Sequence, residues 1–445
     1  MAKMHSSYVC QQCGYSQIGW AGKCPSCDSW GSMVESVSVA STSSKKLGAK
    51  NAMAVKTSSL SAVKAGASSR KVTDITEFDR VLGGGLVPGH VILLSGEPGV
   101  GKSTLLLQVS EKLGNVIYVC GEESPTQIKI RSERLGISGA HIEVLEETDV
   151  DIVIASAEAY HQDHTLGALV VDSIQTVSTS DLTGTAGSVG QVRESASRLV
   201  HFAKKYHIPV LLVGHITKEG SVAGPSTLAH IVDTVCTFEG DRVLPLRILR
   251  STKNRFGPTD EIGIFQMDEK GLIPVSDLSS LFMEENRKAV PGTALSCIME
   301  GSRPILVEIQ SLVVRTNMAF PRRVAQGIDS KRLELLLAVL TRRAGIPLMD
   351  MDVFVNVVGG LAVREPACDL AIALSIASAY VDKALPTNLI AVGELGLLGE
   401  VRTTLMEKKR ISYAKRQGYK HIASSENARE LTWFIQSLLK GKNTA

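Results

Sequence analysis

"VILLSGEPGVGKSTLLLQVS", residues 91–110, decides the fold. Val91 to Ser95 is a short apolar run that reads as a buried strand. Gly96-x4-Gly101-Lys102-Ser103 follows at once, and an apolar helix begins after it. This is a complete phosphate-binding loop in the strand–loop–helix setting that such a loop requires. Across Gly96, Glu97, Pro98, Gly99, Val100 and Gly101, the glycines let backbone N–H groups approach phosphates at a helix N-terminus. Lys102 is placed to reach the β and γ oxygens and Ser103 to hold Mg²⁺, with Thr104 in the same turn. ATP and Mg²⁺ are therefore the expected ligands.

Further βα units surround this one. "NVIYVC" (115–120) reads as a strand, ended by Gly121-Glu122-Glu123. "ALVVDS" (168–173) is a buried strand ending in Asp172, the expected water-mediated Mg²⁺ partner. Residues 188–206 form a helix with Val189, Val192, Ala196, Leu199 and Ala203 on one face. "IPVLLVGH" (208–215) is another buried strand, with His215 at its tip. Repeated βα units predict a mostly parallel α/β sheet with the nucleotide at the strands' C-terminal ends. A carboxylate ending the strand beside the phosphate loop suits activation of the attacking water. Glu122 is favoured over Glu123, one of the two being a helix-capping acid. Further on, Lys253-Asn254-Arg255-Phe256-Gly257 carries two cations. They suit a contact to the γ-phosphate of a neighbouring subunit, or else form a solvated basic hairpin.

At the N-terminus, Cys10-x2-Cys13 and Cys24-x2-Cys27 can close a tetrahedral, structural zinc site. Trp20, Lys23 and Trp30 are candidates for stacking on bases, or for packing against the ribbon. Residues 36–70 are Ser-, Ala- and Lys-rich. Between Glu35 and Asp74 there are Lys45, Lys46, Lys50, Lys56, Lys64, Arg70 and Lys71 and no acid. This reads as a linker, either tracking a nucleic-acid backbone or serving as a soluble tether. The net charge of +3 over 445 residues is too small to settle that point. No signal-peptide h-region and no membrane-length apolar run is evident, so a cytoplasmic chain with reduced thiols is expected. Cys120, Cys236, Cys297 and Cys368 then read as buried small apolar residues.

"LGGGLVPGHVILLSGEPGVGKST" with "VVDSIQT" resembles the RecA-type ATPase family. The four-cysteine ribbon, "GSVGQVRE" (187–194), "HITKEGSVAGP" (215–225) and "KNRFG" extend the resemblance, over essentially the whole chain, to a bacterial DNA-repair branch of it. The resemblance implies a hexameric, DNA-stimulated ATPase that acts on single-stranded and branched DNA beside the main bacterial recombinase. Residues 176–188 and 216–229 then fall where DNA-facing loops lie. Lys218, with Lys253 and Arg255, becomes a candidate DNA contact.

From about residue 285 the pattern changes. "ALSCIMEGSRPILVEIQSLVV" alternates like two strands around a Gly-Ser-Arg-Pro turn. Residues 329–346 form an amphipathic helix. This last third resembles the proteolytic domain of Lon, in which a serine follows the loop proline. Here Pro366 is followed by Ala367. Lys408 and Lys409 lie near the place of the activating lysine, and Cys368 is one position out of register. A base without a nucleophile performs no acyl transfer. The domain then reads as a ring platform, with Arg322, Arg323, Lys331, Arg332, Arg342 and Arg343 either facing DNA or forming a solvated helix face. The expected organisation is a zinc ribbon (1–35), a basic flexible linker (36–70), a RecA-like ATPase domain (71–280) and an inactive α+β Lon-like domain (281–445). A DNA motor is the first reading of function. A KaiC-like regulatory ATPase and an ATP-dependent protease are the alternatives.

Overall fold

The structure is a computed structural model. It describes residues 5–10, 16–17, 19–25, 30–31, 33–38, 59, 70–215, 225–240, 246–277, 279 and 288–440. Cys13, Cys27, Lys218 and nearly all of the 36–70 linker lie outside the described residues. The chain divides into two compact units, Met1–Ser276 and Asp277–Ala445.

The N-terminal ribbon is an antiparallel sheet of β1 (His5–Cys10), β2 (Ser16–Gln17) and β3 (Met33–Ser38), in the order β2-β1-β3. Cys10 stands opposite Met33. It is buried with Cys24, Met33 and the partly buried Tyr8.

The ATPase core follows as α1 (Thr76–Val81), β4 (Val91–Gly96), α2 (Lys102–Lys112), β5 (Val116–Cys120), α3 (Pro125–Arg134), β6 (Ile142–Leu145), α4 (Val150–Asp163) and β7 (Ala168–Asp172). It continues through α5 (Val189–Tyr206), β8 (Val210–His215), α6 (Pro225–Leu228), β9 (Thr234–Gly240), β10 (Leu246–Asn254), β11 (Ile262–Asp268) and β12 (Gly271–Pro274). One nine-stranded sheet results, in the order β12-β11-β10-β9-β4-β8-β7-β5-β6. The strands from β9 to β6 are parallel, and β10, β11 and β12 extend the β9 edge antiparallel.

Alternation along β4 explains the layers. Ile92 and Leu94 pack with Leu105, Leu106 and Val109 of α2. Val91 and Leu93 pack with Val192, Ala196 and Leu199 of α5. Each such side chain, fully buried, contributes about 1.5–3 kcal/mol, so a strand apolar on both faces is held at the sheet's centre. The sheet order corrects one expectation. β5, which leads to Glu122, is not beside the phosphate-loop strand, because β8 and β7 lie between them.

The second unit contains β13 (Thr293–Glu300), β14 (Arg303–Arg315), β15 (Arg323–Gln326), α7 (Ser330–Arg343), β16 (Met351–Val357) and α8 (Asp369–Val381). After these come β17 (Leu389–Ala391), β18 (Glu394–Leu395), β19 (Val401–Arg402), α9 (Glu407–Arg416), β20 (His421–Ala423) and α10 (Leu431–Ile435). The main sheet runs β13-β14-β16-β15. The predicted turn joins β13 to β14, which pair from Thr293↔Gln310 to Glu300↔Arg303. Asp329 caps α7, its carboxylate accepting from the Arg332 N–H. Every residue of α8 from Asp369 to Ser378 is buried, as in a helix enclosed on all sides.

Candidate active site

Parallel strands open their C-terminal ends on one side of the sheet, so Gly96, Glu122, Asp172 and His215 are gathered there from β4, β5, β7 and β8. The phosphate loop is shaped by its glycines. Gly101, with φ of +111°, precedes α2 in a left-handed conformation that other residues resist. A Cβ at Gly96 would run into the backbone carbonyl of Phe238 on β9. Lys102 is buried, and its Nζ donates to the carbonyls of Gly96 and Glu97, each across 3.0 Å. Burial lowers its pKa, while Asp172 and Glu122 pull it back up. An ammonium held under a glycine loop at a helix N-terminus suits a phosphate chain. The Ser103 hydroxyl and Asp172 carboxylate offer the hard oxygen donors that suit Mg²⁺. Sequence reasoning missed Arg247 of β10, whose Nε donates to the loop carbonyl of Val100 across 3.1 Å.

The acidic side of the site has its own bracing. The buried Tyr118 of β5 donates its O–H to Asp172 Oδ2 across 2.6 Å. A tyrosine within an apolar strand was the available signal, since a buried phenol needs a polar partner. The Ser173 hydroxyl donates to Glu122 Oε1, and His215 Nε2 lies 3.0 Å from the same oxygen. Glu122 is thus held below the ordinary carboxylate range, chiefly by the His215 imidazole, against the opposing effect of burial. Ser173 and Lys102 add to the lowering. Although β5 lies three strands from β4, this network ties the ends of β5, β7 and β8 together, and Glu122 and Lys102 feel each other's charge.

Its neighbour has a different place. Glu123 pairs with Arg131 of α3, while Ser124 caps that helix in a capping box with Gln127. The capping residue is therefore a serine and not one of the two acids. The turn carrying both acids rests on Gly121, whose N–H donates to the Asp172 carbonyl across 2.8 Å. Its Cα face is filled by Thr176: a Cβ added at Gly121 would overlap the Thr176 hydroxyl and lie 2.8 Å from its Cβ.

The Lys253–Gly257 motif is elsewhere. β10 runs against β9, pairing Arg247 with Gly240 and Asn254 with Thr234. The motif therefore sits at the foot of β4, about 17 Å along the strand from the loop at ~3.3 Å per residue. There Asp233 is the hub, its Oδ2 accepting from the Val91 N–H at 3.0 Å and from Lys204 Nζ at 2.5 Å. Arg255 Nη1 lies 3.3 Å from Asp233 Oδ1, and its side chain is 54 % exposed. Lys253 donates to the carbonyls of Ala229 and Val232. Neither cation meets the phosphate loop of its own chain.

In the second unit, the loop likened to a protease serine loop is closed by ion pairs. Ala367 and Cys368 are buried, and burial pushes the Cys368 thiol up to about 12, so it supplies no thiolate. The buried cation nearby is Arg410, paired with Glu365 and donating to the Cys297 carbonyl. Lys408 and Lys409 are exposed instead, on the solvent side of α9. Arg332 pairs with Asp369, and Arg323 donates to the backbone carbonyls of Leu348 and Met351. These two arginines hold the fold rather than presenting free charge. All four scattered cysteines are buried, as expected.

Comparison with known proteins places this geometry. Residues 72–271 match the ATPase family model described as KaiC, and residues 8–35 match one described as a rubredoxin metal binding domain. The chain is 45% identical over 428 residues to the DNA repair protein RadA of Bacillus subtilis strain 168, covering 95% of this chain and 93% of that protein. The chain belongs to the RadA family. The RadA of Listeria monocytogenes is 43% identical over 438 residues, spanning 98% of this chain and 94% of the relative. That of Streptococcus pyogenes serotype M1 is 44% identical over 433 residues, spanning 96% and 94%. A KaiC-like protein from Pyrococcus horikoshii superposes with a TM-score of 0.40 at 19% identity, over 46% of this chain and 98% of that one. The RadA family architecture here is thus a ribbon, a RecA/KaiC-type α/β ATPase core and a further C-terminal unit. Cys10 and Cys24, buried in one cluster, are thiols of the kind that hold zinc. No helix among the described residues is long and apolar enough to cross a membrane.

Proposed function

We propose that this chain is a DNA-dependent ATPase of recombinational repair. It moves on single-stranded and branched DNA in the cytoplasm, as a homo-oligomeric, hexameric ring, and extends or processes recombination branches with the main bacterial recombinase. ATP bound with Mg²⁺ supplies the hydrolysable anhydride. Lys102 neutralises phosphate charge, Ser103 and Asp172 hold the metal, and Glu122, kept ionised by His215, orients the attacking water and accepts its proton. Lys218, Lys253 and Arg255 are the proposed DNA-facing cations. Zinc on Cys10, Cys13, Cys24 and Cys27 closes the ribbon. The second unit serves as an inactive Lon-like platform.

The observation that supports this reading best is the division of the core. A phosphate site stands at one end of β4, and a half-exposed Arg255 stands at the other. A guanidinium so far from its own phosphate loop is what a contact to the nucleotide of a neighbouring copy requires. The match to KaiC favours one other reading, a regulatory ATPase indifferent to DNA. Hydrolysis measured with and without single-stranded DNA, beside casein cleavage and a Lys102→Ala control, separates these. Stimulation by DNA without cleavage is expected, and no response to DNA rejects the motor. Arg255→Ala should keep nucleotide binding and lose turnover by at least about tenfold. Normal turnover in that variant rejects the trans contact.

A further inference from the structure

Arg255 stands in a turn whose other residues are occupied in holding the turn itself. Asn254 Oδ1 accepts from the Phe256 N–H across 3.0 Å and from the Thr234 hydroxyl across 3.1 Å. Asn254 Nδ2 donates to the Val81 carbonyl across 3.2 Å. Gly257 lies directly on the chain after α1: a Cβ added there would come within 3.0 Å of the Gly83 Cα and 3.2 Å of the Leu82 carbonyl oxygen. The Phe256 ring stands edge-on to His90 with centroids 4.9 Å apart, and Lys204 Nζ is 5.6 Å from its centre.

One further tie comes from 186 positions earlier in the chain. Arg70 sends a single guanidinium to three carbonyls. Its Nη1 donates to Leu82 and Gly85, each across 3.2 Å, and its Nη2 donates to Phe256 across 2.5 Å. A planar fork with fixed donors sets direction as well as distance. The fork therefore joins the glycine turn after α1 to the carbonyl of the residue that follows Arg255. Arg255 itself contributes its N–H, which donates to the Asp233 carbonyl across 3.2 Å, while its guanidinium is half in solvent. The geometry is that of a rigid mount with one long cation projecting from it. A cation that must meet a phosphate on another chain needs such a mount, because a misplacement of about 1 Å can cost about 100-fold in rate.

We propose that Arg70 is a positioning residue for Arg255. By holding the Phe256 carbonyl against the turn after α1, it fixes the direction in which the Arg255 guanidinium leaves its own chain. The proposal rests on the trans-contact reading above and adds the residue that aims the contact. Arg70 lies with the motif at the foot of β4, away from the phosphate loop, so its loss leaves nucleotide binding intact.

The test uses the full chain with ATP, Mg²⁺ and single-stranded DNA. Arg70→Ala should lower kcat by about tenfold and leave the KM for ATP unchanged. Arg70→Ala combined with Arg255→Ala should be no slower than Arg255→Ala alone, since nothing is then left to aim. Mixing with Lys102→Ala gives the sharpest readout. A Lys102→Ala copy turns over no ATP but presents an intact Arg255 to its neighbour. The mixture should therefore outpace the same total amount of Arg70→Ala alone, whereas a neighbour cannot repair a loosened core. If Arg255→Ala gains from such mixing and Arg70→Ala does not, the positioning role is overturned and the trans contact stands. If neither gains, both fall. A normal kcat or a raised KM in Arg70→Ala also overturns the proposal, as does a double variant about tenfold slower than Arg255→Ala, which is the additive result. Should Arg70→Ala fail to fold, Arg70→Lys takes its place with the same mixing gain expected, because one ammonium lacks the fork that spans both turns.

Discussion

Replacing Tyr118 by Phe tests how the magnesium-side carboxylate is held. The phenol is buried, and its O–H donates to Asp172 Oδ2 across 2.6 Å. Burial first, and then the Asp172 charge, raises its pKa well above the ordinary 10. It therefore remains a donor at any pH used for assay. Phe removes one oxygen and keeps the ring, so the packing of β5 against β7 survives. What is lost is a hydrogen bond to an ionised acceptor, about 1.5–3 kcal/mol. At about 1.4 kcal/mol per decade, that is about 10- to 150-fold in any equilibrium depending on the carboxylate's position. Partners that orient metal ligands typically matter by about 10- to 100-fold. Asp172 would be free to turn toward Lys102, whose ammonium already feels its charge. The assay is ATP hydrolysis against free Mg²⁺, with circular dichroism confirming the fold. The half-saturating Mg²⁺ concentration should rise about tenfold or more. A value within about twofold of wild type refutes the reasoning.

His90 predicts a pH dependence. It is fully buried with Nε2 2.7 Å from Thr234 Oγ1, and burial holds its pKa down at about 4. Asp233 opposes that shift, while Lys204 and Arg70 reinforce it. Because the folded value is depressed, the stabilisation is complete above the ordinary 6.5 and is lost as pH falls toward 4. It amounts to about 3 kcal/mol. Urea unfolding of wild type and His90→Gln at about pH 7 and about pH 5 should show the smaller acid loss in the variant. Equal losses would count against a neutral buried imidazole. Ala367→Ser should create no casein cleavage, because Arg410 is engaged with Glu365 and the nearby lysines face solvent. Cleavage would mean that another base reaches residue 367.

Much of this was legible in the linear sequence because it is local. Glycine spacing marks the phosphate loop, apolar runs mark β4, β5, β7 and β8, and the period of residues 188–206 marks α5. The sheet order was not legible. Nothing in the residues of β5 says that β7 and β8 separate it from β4, so the sequence alone puts the strand leading to Glu122 too close to the phosphate loop. The bracing of the site was likewise invisible. Tyr118 to Asp172, Arg247 to Val100 and Arg255 to Asp233 are contacts between residues far apart in the chain, created only when strands align. Arg410 was overlooked beside two more conspicuous lysines, although helix phase alone could have turned it inward and them outward.

The fit of Gly121 against Thr176 has a consequence for how this site can vary. The turn that aims Glu122 is filled from the other side by a threonine, and any side chain at 121 would need the same space. Position 121 is not free to grow by itself. A larger residue at 121 is tolerated only where 176 has first become smaller, so substitutions here must arrive in a fixed order and as a pair. Across the family, the two positions are expected to carry a joint record of change, even though they stand 55 positions apart in the chain.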